Sequence, residues 1–351
     1  MSERLAVVLF NLGGPDSQEA VEPFLFNLFN DRAIVGLPQP ARFLLARVLA
    51  RRRGIVAREI YQQLGGGSPL LLLTREQAQA LEHRLRERHE DVRVFVCMRY
   101  WHPMAGAVAA DVRSFAPDRI VLLPLYPQFS TTTTASSLAD WRRAAAAVGL
   151  SCPTVAICCY PTQPGFVRAV ARRLRNVLES ASLLKGYRIL FSAHGLPERV
   201  VARGDPYPWQ VERTCAAVLE AMGDTAADHV VCYQSRVGPL KWIGPATEEA
   251  LQEAAADGVA AVVVPIAFVS EHSETLVELD IEYRRRAEEF GISRYIRVPT
   301  VGVAAEFIDG LAELTAVAQL HTGVICAEGE RRCPVHCAGC PCRTLDVSPT
   351  R

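Results

Sequence analysis

Ala260-Ala-Val-Val-Val-Pro-Ile-Ala-Phe268 runs straight into Val269-Ser-Glu-His-Ser-Glu-Thr-Leu-Val-Glu-Leu-Asp-Ile-Glu-Tyr283. The first part is a short apolar run, the pattern of a strand covered on both faces, and the second reads as the helix that follows it. Glu274, Glu278 and Glu282 stand four residues apart on that helix, stacked on one face, where they repel unless a cation or protons sit among them. Such a row drifts by about 40° per step in an α-helix, and a π-bulge would straighten it. Leu276, Val277, Leu279, Ile281 and Tyr283 interleave with the acids, so the row is expected along a largely buried helix. Glu271 and His272 stand at its start. A line of carboxylates leading to a histidine is a path for a divalent metal or for protons. Four-residue acidic spacing more often marks a solvated stripe; the preceding strand and the apolar interleaving argue against that here.

The same strand-then-helix unit recurs along the chain. Strand-like runs fall at Leu5–Phe10, Val92–Met98, Arg119–Leu123, Thr154–Cys158, Arg188–Phe191, His229–Tyr233, Val259–Ile266 and Tyr295–Val298. Helical patterns separate most of them, as at Thr74–His89, Ser136–Val148, Gly165–Leu178, Val211–Met222 and Thr275–Phe290. Such βαβ alternation with short connections predicts an α/β protein with parallel sheets flanked by helices. Val121-Leu-Leu-Pro-Leu-Tyr126 echoes Val262-Val-Val-Pro-Ile-Ala267. The expected organisation is two Rossmann-like domains, 1–150 and 151–322, with a cleft between them and the last helix able to pack back on the first. A Cys-rich tail, 323–351, departs from the βαβ pattern.

Tyr187-Arg-Ile-Leu-Phe-Ser-Ala-His194 is another strand ending in a histidine, broken by Gly195 and Pro197. Ligands of open α/β sheets bind beyond the carboxyl ends of strands, and His194 and the 271–274 segment both sit there. A histidine so placed is a base or a metal ligand; a satisfied loop histidine is the plainer alternative. Ser192-Ala-His194 is not a serine-hydrolase signature, because no Gly-x-Ser-x-Gly elbow is present.

Seven ordered blocks now carry a resemblance. They are Asn11-Leu-Gly-Gly-Pro-Asp16, Tyr61-Gln-Gln-Leu-Gly-Gly-Gly-Ser-Pro69, Met98-Arg-Tyr-Trp-His-Pro103, Leu123-Pro-Leu-Tyr-Pro-Gln-Phe-Ser130, Ser192-Ala-His-Gly-Leu-Pro197, Tyr233-Gln-Ser-Arg-Val-Gly-Pro239 and the 268–283 run. Over nearly its full length the chain resembles the ferrochelatases, the lyases that insert Fe2+ into a porphyrin at the end of haem synthesis. The resemblance implies a chelatase-type pair of domains, with His194 as the active-site histidine and Glu274 its partner across the cleft. His194 would accept pyrrole protons or hold Fe2+, and Glu274 would ligate metal or shuttle protons. Glu271 and His272 would support the site, while Glu278 and Glu282 extend the acidic path. Porphyrin contacts fall on Leu12, Tyr61, Ser68, Arg99, Tyr100, Ser130 and Trp242. Arginine and hydroxyls suit propionates, and aromatic faces suit the macrocycle. Protoporphyrin IX is the expected substrate, with coproporphyrin III left open. A cobaltochelatase and a non-catalytic haem or iron–sulfur sensor are the rival readings, and the acidic row weighs against both.

Composition narrows the partners. The 351 residues carry 38 basic and 38 acidic side chains, so no electrostatic footprint for nucleic acid is expected. Met1-Ser-Glu-Arg4 leads directly into a strand and no apolar run reaches the length of a membrane span, which predicts a cytoplasmic protein without a leader. Gly65-Gly-Gly67 lacks the Lys-Ser/Thr ending of a P-loop, so no nucleotide is expected. Residues 41–53 hold five arginines and no acid, and Phe43, Leu44, Val48 and Leu49 can share a face. That segment suits either peripheral contact with an anionic membrane or an ordinary surface helix. A homodimer is left open.

Eleven cysteines in such a chain do not read as a disulfide framework. Cys326, Cys333, Cys337, Cys340 and Cys342 crowd the tail at a density that usually binds metal, without the paired knuckles of a zinc ribbon. Some ferrochelatases carry a [2Fe–2S] cluster on a C-terminal cysteine trio and one internal ligand. That resemblance implies Cys159, or its neighbour Cys158, with Cys333, Cys340 and Cys342, leaving Cys337 spare. Zinc and free thiols are the alternatives. Cys97, Cys152, Cys215 and Cys232 read as small core residues.

Overall fold

Runs such as Leu5–Phe10 and Ala260–Val264 are apolar at every position, so both faces of each strand need cover, and helices supply it. In the computed structural model, which describes residues 3–342 except 184–185, 226, 237 and 239, every strand-like run forms. The strands are β1 (Arg4–Asn11), β2 (Asp91–Met98), β3 (Arg119–Pro124), β4 (Thr154–Ile157), β5 (Tyr187–His194), β6 (His229–Gln234), β7 (Ala260–Pro265), β8 (Tyr295–Arg297) and β9 (Gly323–Ile325). Among the described residues they make two parallel sheets, ordered β2-β1-β3-β4-β9 and β6-β5-β7-β8.

Each sheet grows outward in both directions from its first strand. The order therefore reverses at β1/β3 and at β5/β7, and crevices open beyond the carboxyl ends of those pairs. His194 ends β5, and the segment carrying Glu271 to Glu274 follows β7, so both flank the second crevice. Burial holds this frame in place: Val262 and Val263 of β7 are fully buried on opposite faces. Each valine contributes about 1.5–3 kcal/mol relative to leaving it in water.

Sheet membership departs from a division at residue 150. β4 pairs with β3, Val121 opposite Val155, and so lies in the first sheet. The helix Ala305–Gln319 packs on the helices Leu70–Leu85 and Pro164–Ser180 and on β3 and β4, and β9 then pairs with β4. The strand pattern of 154–158 fixes a strand but not its neighbour, which is why the boundary drawn at 150 falls one strand early. Close crossing of Ala305–Gln319 over Pro164–Ser180 needs Gly165, where a Cβ would meet the Glu306 carbonyl oxygen at 2.1 Å.

The acidic helix is a π-helix over Glu274–Glu282, continued as an α-helix over Tyr283–Glu289. Its i→i+5 bonding widens the turn, so residues four apart stay closer to one line than α-helical geometry allows. Thr275, Val277 and Leu279 are buried beneath it, and the Tyr295 hydroxyl donates to the Leu279 carbonyl at 2.6 Å.

Candidate active site

β5 delivers His194 to the crevice, and Gly195 lets the chain turn there. A Cβ on Gly195 would sit 2.9 Å from the Gln234 carbonyl and 3.3 Å from the Trp242 ring, which places Trp242 beside the histidine. The His194 Nδ1 lies 2.6 Å from the Gly195 carbonyl oxygen. A carbonyl only accepts, so Nδ1 carries the proton of the neutral ring and Nε2 keeps its lone pair. That Nε2 is 3.9 Å from Glu274 Oε1, beyond hydrogen-bond reach. A basic nitrogen and a carboxylate thus face one gap, neither tied up by the other.

Behind Glu274 the acidic row turns inward. Ser235 donates from its backbone N–H to Glu278 Oε1 at 2.7 Å and from Oγ to Glu278 Oε2 at 2.5 Å, and Gln234 Nε2 adds a third donor at 3.2 Å. Ser235 holds a left-handed φ of 59° to do so, a conformation unusual for a residue with a side chain. Burial, then the Glu274 carboxylate, raise the pKa of Glu278 against the pull of these bonds. The folded protein therefore keeps this proton where the unfolded chain has lost it. Its stabilising contribution is present below the ordinary carboxylate value and is lost as pH rises through the raised one. Replacing Glu274 with Gln removes the like charge, so the Glu278 titration is expected to move down. Carboxyl 13C NMR across pH reads it, and an unmoved midpoint would contradict the coupling of the two acids. Glu282, the last acid of the row, is exposed.

Glu271 is not free. Arg297 Nη1 reaches both its oxygens at 2.9 and 3.0 Å, the Thr300 N–H donates at 2.9 Å, and Arg297 also grips Asp280 at 2.7–2.8 Å. Burial pushes the Glu271 carboxyl up, but Arg297 and the hydrogen bonds more than offset it and leave its pKa lowered. Arg297→Met strands two carboxylates and is expected to cost about 3–5 kcal/mol of stability. Urea denaturation measures it, and a loss under about 1 kcal/mol would show the pair to be solvated after all. His272 is buried against Phe268 with ring centroids 4.6 Å apart, and its Nδ1 has no hydrogen-bond partner. Burial lowers its pKa, favouring the neutral ring against the pull of Glu274 and Glu271.

Leu12, Tyr61 and Tyr100 share one apolar cluster with Phe24 and Leu25. The Tyr61 hydroxyl meets Ser273, beside Glu274, so this cluster joins the histidine crevice; burial pushes the Tyr61 phenol up to about 12. Arg99 is bonded to Asp31 at 2.9 Å and Ser136 at 2.8 Å and stacks on Tyr100 at 4.8 Å, while the Tyr100 hydroxyl donates to Asp31 at 2.7 Å. Ser68 packs against Gly14, where a Cβ would meet it at 2.6 Å. Ser130 lies apart from these, buried and donating to Asp205 at 3.0 Å.

The ferrochelatase family model matches residues 4–319. The ferrochelatase of Phenylobacterium zucineum is 52% identical over 97% of this chain and 98% of its own length, and that of Caulobacter vibrioides is 49% identical over 98% and 99%. The chain belongs to the ferrochelatase family. Among solved structures, SirB from Bacillus subtilis with Fe3+ covers 90% of this chain and 95% of its own at a TM-score of 0.52 and 11% identity, a likeness of fold alone.

The family match stops before the cysteine-rich segment of this ferrochelatase-family chain, whose cysteines gather around one cavity. A cavity of about 470 Å³ is lined by Cys159, Cys326, Cys333, Cys340 and Cys342. Cys158 lies behind it, its sulfur 3.5 Å from that of Cys159, and Cys337 is buried outside the lining. Hydrogen bonds from Cys158 and Cys326 lower the pKa of Cys342, and one from Cys333 lowers that of Cys340. Among the described residues no three His, Cys, Asp or Glu side chains already converge at single-ion spacing. Gln234 and Ser235 escaped the sequence reading as site residues although they lie in one of its blocks. A short turn after a strand gives no sign that its donors serve a helix 40 residues on.

Proposed function

We propose that this chain is a ferrochelatase acting through His194 and Glu274 on protoporphyrin IX. The reaction joins Fe2+ and a porphyrin, forms four iron–nitrogen bonds and releases two protons, so haem is the product and the enzyme is a lyase. What carries the reading is the free Nε2 lone pair of His194, 3.9 Å from Glu274. It can take a pyrrole proton, while Glu274 can hold the ion or pass the proton to Glu278, whose raised pKa suits a proton store. Imidazole and carboxylate are both acceptable donors to ferrous iron. Leu12, Tyr61 and Trp242 offer apolar and aromatic surface to the macrocycle and Ser68 a hydroxyl to a propionate, whereas Arg99 and Tyr100, bonded to Asp31, and Ser130, bonded to Asp205, serve the walls of the site instead. Glu271 and His272 act as supports, and Glu282 as the outer end of the path.

Anaerobic incubation of purified protein with Fe2+ and either protoporphyrin IX or coproporphyrin III tests this directly. Haem formation at a rate far above the protein-free control is expected, faster with protoporphyrin. Tight porphyrin binding without metallation would favour a sensor, and preference for Co2+ over Fe2+ a cobaltochelatase.

A [2Fe–2S] cluster fits the cysteine cavity: of the five thiols that line it, Cys159, Cys333, Cys340 and Cys342 are the proposed ligands, and Cys326, whose thiol donates to the Glu330 carbonyl, is left over. Cys159 is favoured over Cys158 by lining the cavity. When bound, the cluster would supply a one-electron centre and a cross-link between the tail and the chain after β4. Two lobes around the two sheets, with this tail appended, describe the domain organisation we infer.

The helix Gln39–Gln63 buries a face of small residues, Ala46, Ala50 and Gly54, and leaves Phe43, Leu44, Val48, Ile55 and Val56 exposed among its arginines. Among the described residues no helix is long and apolar enough to cross a membrane. A cytoplasmic protein resting on an anionic membrane through this helix accounts for the pattern. Sedimentation with phosphatidylglycerol vesicles is expected, weakened by salt and by Leu44→Ser; no binding at low salt would remove the membrane role.

A further inference from the structure

The helix Tyr207–Met222 carries one fully buried amide, Gln210, and its orientation is fixed. Gln210 Oε1 accepts from the Phe129 N–H at 2.7 Å, so the NH2 group must point the other way. There it meets two sulfurs, Cys159 Sγ at 3.4 Å and Cys333 Sγ at 3.1 Å. An amide NH2 has two hydrogens, and each sulfur can take one. A neutral thiol accepts weakly, whereas a thiolate on iron is a strong, charge-assisted acceptor. Arg331, the nearby cation, spends its donors on the carbonyls of Cys333, Pro334 and Cys337 and holds the loop rather than the sulfurs. Among the described residues no other side-chain N–H stands within hydrogen-bond reach of a sulfur in this cavity.

We propose that Gln210 sets the reduction potential of the iron–sulfur cluster by donating to the Cys159 and Cys333 thiolates, an inference that rests on the cluster reading above. Reduction adds an electron to the cluster and raises the charge on the thiolate sulfurs. Two N–H donors therefore stabilise the reduced state more than the oxidised one and shift the potential upward. Because the same amide is anchored on Phe129, two residues before Thr131 and one before Ser130, it also ties the cluster to the loop beyond β3.

Wild-type and Gln210→Leu proteins, purified without oxygen, would be titrated with dithionite and mediators and followed by their visible bands and EPR signal. The leucine variant is expected to reduce at a more negative potential, and an unchanged potential overturns the role of Gln210. Should the variant hold no cluster, pulsed EPR of the reduced wild type grown with side-chain 15N-glutamine decides. A 15N coupling is expected there, and its absence overturns the proposal. Colourless wild-type protein without iron or sulfide is a separate result: it sinks the cluster reading itself, and this role with it.

Discussion

His194→Ala is expected to lower ferrous-iron insertion by at least about 100-fold, the lower end of what a positioned acid–base group supplies. Alanine removes the one ring nitrogen whose lone pair faces Glu274, and it leaves the turn at Gly195 intact because that turn is built by backbone bonds. Stability and porphyrin affinity should therefore stay near the wild-type values, which separates loss of chemistry from loss of fold. Porphyrin fluorescence quenching gives the affinity, circular dichroism the fold, and an anaerobic assay the rate. Glu274→Gln should also slow turnover, since it keeps the shape but neither charge nor proton acceptor. A His194→Ala enzyme within a few-fold of wild type would move the base elsewhere along the acidic row.

Cys333→Ser is expected to abolish the visible thiolate-to-iron bands of protein purified without oxygen, and the same holds for Cys159, Cys340 and Cys342. Each lines the cavity, and a hydroxyl is a far poorer ligand for iron than a thiolate. The control is Cys97→Ser, whose side chain is buried on β2 in another core and whose loss should leave the bands unchanged. Losing the cluster should also lower the thermal midpoint, because the tail would no longer be cross-linked to the chain after β4. Activity would then fall indirectly, with the choice of inserted metal unaltered. Colourless protein carrying about one zinc and no sulfide would transfer these same thiols to a zinc site.

Much of this was legible because the signals are local. Eight apolar runs announced eight strands, and the interleaved acids and apolar residues announced the helix after β7, whose π-geometry the spacing of Glu274, Glu278 and Glu282 suits but does not dictate. Pairing was less legible. Gly323-Val-Ile325 is too short and too weakly patterned to read as a strand, so the return of the chain to its first sheet was visible only as a helix free to pack back. Glu271 read as a support of the site, but what it supports was hidden, because its partner, Arg297, is 26 residues away. Arg99 likewise carried no mark of the buried Asp31 that occupies it. Charge balance between distant segments is a property of the packed protein, and no spacing rule in one dimension encodes it.

The pairing of β9 with β4 bears on how the chain is made. The first sheet begins with residue 4 and is finished by residue 325, while all four strands of the other sheet lie between. During translation, at about 5–20 residues per second, the second sheet can assemble while β4 still presents a bare edge. An uncovered parallel edge is a template for pairing with other nascent chains. A segment made late thus closes the oldest sheet, and a truncation before Gly323 should yield protein whose sheets are nearly complete but which associates through that edge.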